Sequence, residues 1–439
     1  MKTDFRILFC LFVALGLAPR DAAAQSPATP DGIVSRRANS ELPRWLRLGG
    51  EERVRLEELG GVGFKPAGNT YLLQRLRLNL DVTPRSWLKF SFQAQDSRVF
   101  FTNVSPAPSS QKDPLDLRLG YVQVGNAEAG PVVLRAGRQS LAFGEGRLMA
   151  DPNWSNVGRT FDGVRATFRY RKLRVDAFSG ATDKIYTGGL DTPTPAEHLH
   201  GAYGSIDKVI PNATLEPYLF WRLEHNVKGE MTKAGNLDSK TAGLRWLGKL
   251  PLGFDYGLEV AAQRGRQANE PLSAWAGHWI LGYSLADPQH RPRLFAELNR
   301  ASGDQNPRDG VHGAFDPLFP SSHDKFGTAD QFTWTNIMHA RSGMQYKVSQ
   351  SLTLAAAYNS FWLANQRDGI YSSGKVTIAS NGTQGNHIGQ EPDVQGQWSL
   401  FRYTLVDFAF GHVFPGEFLR HTGRSTGYNC FFLAVAQRF

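Results

Sequence analysis

Hydrophobic and polar side chains alternate one by one along most of this chain. Leu72, Leu76, Leu78, Leu80 and Val82 interleave with Leu73, Arg75, Arg77, Asn79 and Asp81, the period of two that sends successive side chains to opposite faces of a strand. After Thr83-Pro84-Arg85-Ser86, the composition of a tight turn, Leu88, Phe90, Phe92 and Ala94 alternate with Lys89, Ser91, Gln93 and Gln95. The pattern recurs at Val164, Ala166, Phe168 and Tyr170 against Arg165, Thr167 and Arg169, and at Phe254, Tyr256, Leu258 and Val260 against Asp255, Gly257 and Glu259. The predicted fold class is all-β. Strands are expected near 46–57, 71–82, 87–97, 115–124, 131–139, 162–170, 173–179, 200–206, 214–222, 240–248, 253–263, 275–285, 293–300, 335–348, 351–359, 388–400, 404–412 and 428–439, about eighteen in all.

The lengths of the connections carry the next step. Turns of roughly two to seven residues fall near 83, 125, 171, 207, 249, 286, 349 and 401, whereas the other connections run from about eleven to over thirty residues. Strict alternation of short and long connections belongs to a transmembrane antiparallel β-barrel with short periplasmic turns and long extracellular loops. Both termini then lie at the periplasmic end. Phe431, Leu433, Val435 and Phe439 give the closing strand an apolar face, interrupted by Gln437.

Composition narrows the alternatives. With 41% hydrophobic residues, 28 Phe, 13 Tyr and 10 Trp, the chain is not disordered. Beyond the N-terminus no apolar run nears the ~18 residues of a spanning helix, and mean hydropathy is −0.35. At the N-terminus Lys2 and Arg6 precede an apolar stretch from Ile7 to Ala18, and Ala22-Ala23-Ala24 precede Gln25, the layout of a secretory signal. The expected division is a signal peptide at 1–24, an exposed periplasmic tail at 25–44 and the barrel at 45–439. Cys10 falls in the signal, so Cys430 has no partner for a disulfide.

Candidate enzymatic chemistry is absent. Gly423-Arg424-Ser425-Thr426-Gly427 matches a nucleophile elbow, but no acid or histidine follows it. His198 and His200 share a strand face, and His312, Asp316, His323 and Asp324 crowd one long loop, yet satisfied side chains are the expected reading of both groups. No metal and no cofactor are expected.

The inward-facing charges form the stronger constellation. Strand parity places Arg47, Arg53, Arg55, Arg75, Arg77, Lys89, Arg118, Arg135, Arg165, Arg169, Arg174, Arg222, Arg245 and Arg293 opposite the apolar face, with only Glu51, Asp81, Asp176, Glu216, Asp255, Glu259 and Glu297 beside them. Some of these arginines are expected to pair structurally across strands. The surplus is expected to make the lumen electropositive, with Arg75, Arg77, Arg118 and Arg135 as the constriction wall. The net charge of +9 agrees in sign.

Several segments resemble the alginate export family of outer-membrane barrels. They are Gly137-Arg138-Gln139 through Phe143-Gly144-Glu145-Gly146-Arg147, and Asn153-Trp154-Ser155-Asn156-Val157-Gly158-Arg159-Thr160-Phe161-Asp162-Gly163. Two more are Phe315-Asp316-Pro317-Leu318-Phe319-Pro320 with His323 and Gly327, and Gly411-His412-Val413-Phe414-Pro415-Gly416-Glu417-Phe418. The resemblance implies a monomeric barrel of eighteen rather than sixteen strands, whose arginine-rich constriction passes an acidic polysaccharide under loop gates. The segment around Trp154 is expected to fold into or over the mouth, with Arg147 and Arg159 tied to acids such as Glu145 or Asp162. Trp154 and Trp221 are candidates for sugar stacking or for the aromatic girdle.

The function expected is an anion-selective outer-membrane channel for a uronate-type polysaccharide or oligosaccharide, not an enzyme. A general anion-preferring porin and a plugged structural barrel are the alternatives. Expected partners are the acidic polysaccharide, outer-membrane lipid and the barrel assembly machinery, and nucleic acid is not among them.

Overall fold

The computed structural model describes residues 32–439 apart from 209, 232, 233, 288 and 373, so the expected signal peptide lies outside the described residues. Twenty strands are formed: β1 (Leu46–Gly60), β2 (Gly68–Arg85), β3 (Leu88–Phe100), β4 (Asp113–Val124), β5 (Val132–Gln139), β6 (Phe161–Tyr170), β7 (Leu173–Lys184), β8 (Thr192–Asp207), β9 (Ala213–Val227), β10 (Gly235–Lys249), β11 (Phe254–Gln267), β12 (Glu270–Ser284), β13 (Arg293–Ala301), β14 (Ile337–Lys347), β15 (Leu352–Leu363), β16 (Ile370–Ser372), β17 (Lys375–Ile378), β18 (His387–Phe401), β19 (Thr404–Pro415) and β20 (Tyr428–Arg438). The pair β16–β17 is a small hairpin within an outer loop. The other eighteen form one antiparallel sheet that closes where β1 pairs with β20.

The alternation sets which face meets lipid. Leu78, Leu134, Val164, Leu219, Leu298 and Phe410 are exposed on the outside, and hydrating such side chains costs about 1.5–3 kcal/mol each relative to burial. Trp87, Tyr170, Tyr283 and Phe401 mark the periplasmic rim beside the short turns, where amphipathic rings settle. Gln437 lies at the same end and accepts a bond from Thr404 Oγ1 at 2.6 Å, which satisfies the polar break in the closing strand.

Three features depart from expectation. Residues expected as a plain tail contain helix α1 (Ile33–Glu41), pinned to β1 by paired bonds between the Asn39 amide and the backbone of Leu48 at 2.8 and 2.9 Å. Several strands run past their apolar stretch, and β11 turns into β12 through Ala268 and Asn269 alone, both at positive φ, as a two-residue hairpin turn demands. Third, the inner face is not uniformly polar. Phe178, Leu199, Tyr203, Tyr218 and Phe220 point inward from β7–β9 and join Phe143, Phe315, Phe319 and Trp334 of the outer loops in a buried core. The loops fold into the barrel, and this wall gives them apolar surface to pack on.

Candidate functional site

The segment between β5 and β6 descends into the lumen and is fastened there by the arginines of β1, β2 and β4. Arg53 donates to Asn153 O at 2.6 Å and Arg55 to Trp154 O at 2.5 Å. Arg75, fully buried, donates to Asn153 O and Ser155 O at 3.0 and 3.2 Å, and Arg77 to Asn153 Oδ1 at 2.8 Å. Arg118 Nη2 donates to both carboxylate oxygens of Asp151 at 2.5 Å. Burial acts to raise the Asp151 carboxyl, yet Arg118 and Arg77 hold it below its ordinary value. Asn156 reaches the carbonyls of Gln74, Arg98 and Gln111 at 2.9–3.1 Å. Gly158 stands at φ +91° with Arg118 Nε 3.2 Å from where a Cβ would sit, so a side chain there would strain the turn and crowd the arginine.

Trp154 meets a cation on one face and an imidazole on the other. The Arg55 guanidinium lies 3.5 Å above the ring centroid. His323, from the loop between β13 and β14, stacks at 3.7 Å with planes 1° apart. Burial acts to lower the His323 pKa, but Asp330 at 2.7 Å and Asp324 at 3.2 Å raise it above its ordinary value.

The inserted strip separates two cavities. Asp151 and Asn153 line the lower one, about 720 Å³, which opens toward the periplasmic turns at Ser86 and at Gly125–Glu128. Pro152, Trp154 and Ser155 line the upper one, about 530 Å³. The lower cavity is walled by eight basic residues (Arg77, Lys89, Arg118, Arg135, Arg165, Arg169, Arg174, Arg438) and four acids (Glu51, Asp81, Glu128, Asp151), so its lining is net positive. Two of its like-charged pairs face each other directly across strands: Arg135 opposite Arg165, and Arg169 opposite Arg174. Asp176 binds Arg165 at 2.9 Å and Arg174 at 2.8 Å. Among the described residues, Arg135 has only Gln123 at 2.9 Å and the Tyr121 ring, and Arg169 keeps a buried Nη1 without a hydrogen-bond partner.

The other anticipated arginines lie elsewhere. Arg222 is held by Glu197, Glu224 and Asp316 at 2.6–2.7 Å, and Arg245 by Glu216 at 2.5 Å and Glu145 at 3.0 Å. Arg138 binds Asp162 at 2.9 Å, and Arg147 reaches Glu145 at 3.3 Å and Glu297 at 2.8 Å. Arg159 makes no pair with Asp162; it donates to Pro320 O at 3.2 Å and lies over Phe319, because Arg138 already occupies that carboxylate. The inward acids also include four that the parity count left out, Glu57, Glu391 and Asp393 within the expected strands 46–57 and 388–400 and Glu197 on the extension of β8, all buried or half-buried. The positive surplus is therefore concentrated on the periplasmic half of the β2–β7 wall, while ion pairs balance the opposite side.

His312, Asp316, His323 and Asp324 do not converge: His312 binds Glu270, Asp316 binds Arg222, and His323 pairs with Asp324 and Asp330. His200 contacts Ser179 and Trp221. Trp221 itself lies on the outer surface, bonded to Asp238 at 2.8 Å.

The alginate export family model matches residues 44–432. The chain belongs to the alginate export family. No curated protein matches it. Among solved structures, this alginate-export barrel is similar to Pseudomonas aeruginosa OpdQ, with 13% identity, TM-score 0.60, and coverage of 91% of this chain and 99% of that one. It is similar also to OccK8 (OprE) of the same organism, with 12% identity, TM-score 0.58, and coverage of 90% and 98%. The family and the closed barrel place it in the outer membrane of a Gram-negative-type bacterium as a channel.

Proposed function

We propose that this channel carries an anionic, uronate-type polysaccharide or oligosaccharide, and that the lower cavity is where its carboxylates are first held. The observation carrying this reading is the facing of Arg135 with Arg165 and of Arg169 with Arg174 over a single shared acid, Asp176. Like charges directly opposite on a sheet destabilise it, so the arrangement favours an anionic solute that enters between them. Planar guanidinium groups bind carboxylates two-pronged, and their row along one wall offers successive sugars equivalent partners. The segment Asp151–Asn156 is the gate over this cavity. A polymer crosses only when the gate withdraws.

The test is the zero-current potential under a salt gradient, with and without added oligouronates. Wild type is expected to prefer anions and to be blocked by oligouronates. Arg135→Glu with Arg169→Glu is expected to abolish the preference and weaken the block at least about tenfold, since each change removes a cation and adds a like charge. A cation-selective wild type would sink the proposal. Selectivity for anions without block by oligouronates would instead favour a porin for small carboxylates, a reading supported by how little lumen the inserted strip leaves open.

A further inference from the structure

At the outer end of β4–β8, five carboxylates surround one guanidinium. Arg138 lies 2.9 Å from Asp162, 3.3 Å from Asp183 and 3.7 Å from Asp116. On its far side Asp113, Asp116 and Asp191 gather, with one carboxylate oxygen of each within 4.8 Å of the others. Asp116 accepts the backbone N–H of Asp191 at 2.9 Å, and Asp191 that of Tyr186 at 2.7 Å. Asp113 has no such donor. It is 1% exposed, and both its carboxylate oxygens are buried without a hydrogen-bond partner. A buried carboxylate in that state is among the costliest arrangements in a folded chain.

We propose that Asp113, Asp116 and Asp191 bind one calcium ion. The donors are all hard oxygens, which disfavours zinc or copper, whose sites are built from imidazole or thiolate. With the three oxygens all within 4.8 Å of one another, each can lie at the ~2.4 Å of a calcium–oxygen bond in the irregular geometry calcium accepts, whereas magnesium demands a near-ideal octahedron of bonds near ~2.1 Å and keeps most of its waters. Two added positive charges offset much of the acidity that Arg138 leaves uncompensated. The ion would also brace the gate. Asp113 follows the loop 101–112 and Asp191 ends the loop 185–191, so one ion joins the two. The first of these loops supports the inserted strip: Ser110 O accepts bonds from Val157 N and Ser155 Oγ, and Gln111 O from Asn156 Nδ2. This inference is independent of which solute the channel carries.

The experiment is calorimetric titration of calcium chloride into the full-length detergent-solubilised barrel, stripped with chelator and dialysed at neutral pH. The expected result is one ion per chain with a dissociation constant in the range of about 10⁻⁵ to 10⁻³ M, and at least about tenfold weaker binding of magnesium. Asp113→Asn and Asp191→Asn should each weaken calcium at least about tenfold, while Asp183→Asn, which touches Arg138 outside the triad, should change it less than about threefold. Folding of each variant is checked by heat-dependent gel migration. Should Asp113→Asn not fold, Asp191→Asn and the wild-type stoichiometry decide. Absence of calcium binding by the wild type up to about 10 mM overturns the proposal, as does unchanged affinity in the folded triad variants.

Discussion

Trp154 is held between Arg55 and His323, and a cation over an indole face contributes about 0.5–2 kcal/mol, more as water is excluded. Trp154→Ala is expected to shift the strip toward its withdrawn position by roughly tenfold, the equivalent of about 1.4 kcal/mol, read as a rise in the open fraction of single-channel current. Two titrations bound this closure. The raised His323 pKa means that its contribution is complete below its released value of about 6.5 and fades as pH climbs through the raised one. The lowered Asp151 pKa means that its contribution is complete above about 3.9 and fades as pH falls. Open fraction should therefore pass through a minimum between about pH 4 and pH 6.5, and His323→Phe should remove the rise on the alkaline side only. The sequence marked Trp154, Asn156 and the arginines through their motif and parity. It did not show His323 against Trp154, because 168 intervening positions of chain leave no periodic trace of a contact between two irregular loops.

Among the elements, the strands were legible wherever one face had to meet lipid. That requirement writes alternation into β2, β3, β6 and β11, and it stops at the membrane boundary. Beyond it, Gln263 to Gln267 are mostly polar on both faces, so the outer end of β11 and its two-residue turn into β12 left no signal although the backbone ladder continues. The same blindness hid Glu197 on the extension of β8, and with it part of the balanced wall. Helix α1 was hidden for another reason, since a short mixed-charge segment gains its helix from docking on β1 rather than from propensity. The strip between β5 and β6 hangs on Arg53, Arg55, Arg75, Arg77 and Arg118, outside the ladder that closes the barrel. Deleting residues 146–158 is expected to leave heat-dependent gel migration intact and to raise single-channel conductance several-fold. Unchanged conductance in the folded deletion would show that the strip does not limit passage.

For the whole molecule, strand number fixes the circumference and the folded-in loops fix what is left of the interior. The aromatic core against β7–β9 and the ion-paired side opposite leave the β2–β7 wall as the charged one. A surplus confined to one wall, within a space comparable to the ~8 Å Debye length at physiological salt, is only partly screened. Anion preference is therefore expected to weaken between about 0.1 M and 1 M salt without reversing, as measured by zero-current potentials at several ionic strengths.

The division of the interior into cavities of about 720 and 530 Å³ by one strip has a kinetic consequence. Under the gating proposed above, such a pore works as a lock with a waiting chamber. A solute held among the arginines below has already shed its counter-ions when the strip swings, so throughput is set by how often the strip swings. Flux should then level off as the chamber fills, at one ceiling shared by every small anion that fits, whatever its affinity. A polymer, which must occupy both chambers at once, keeps the lock open behind its leading end and escapes that ceiling.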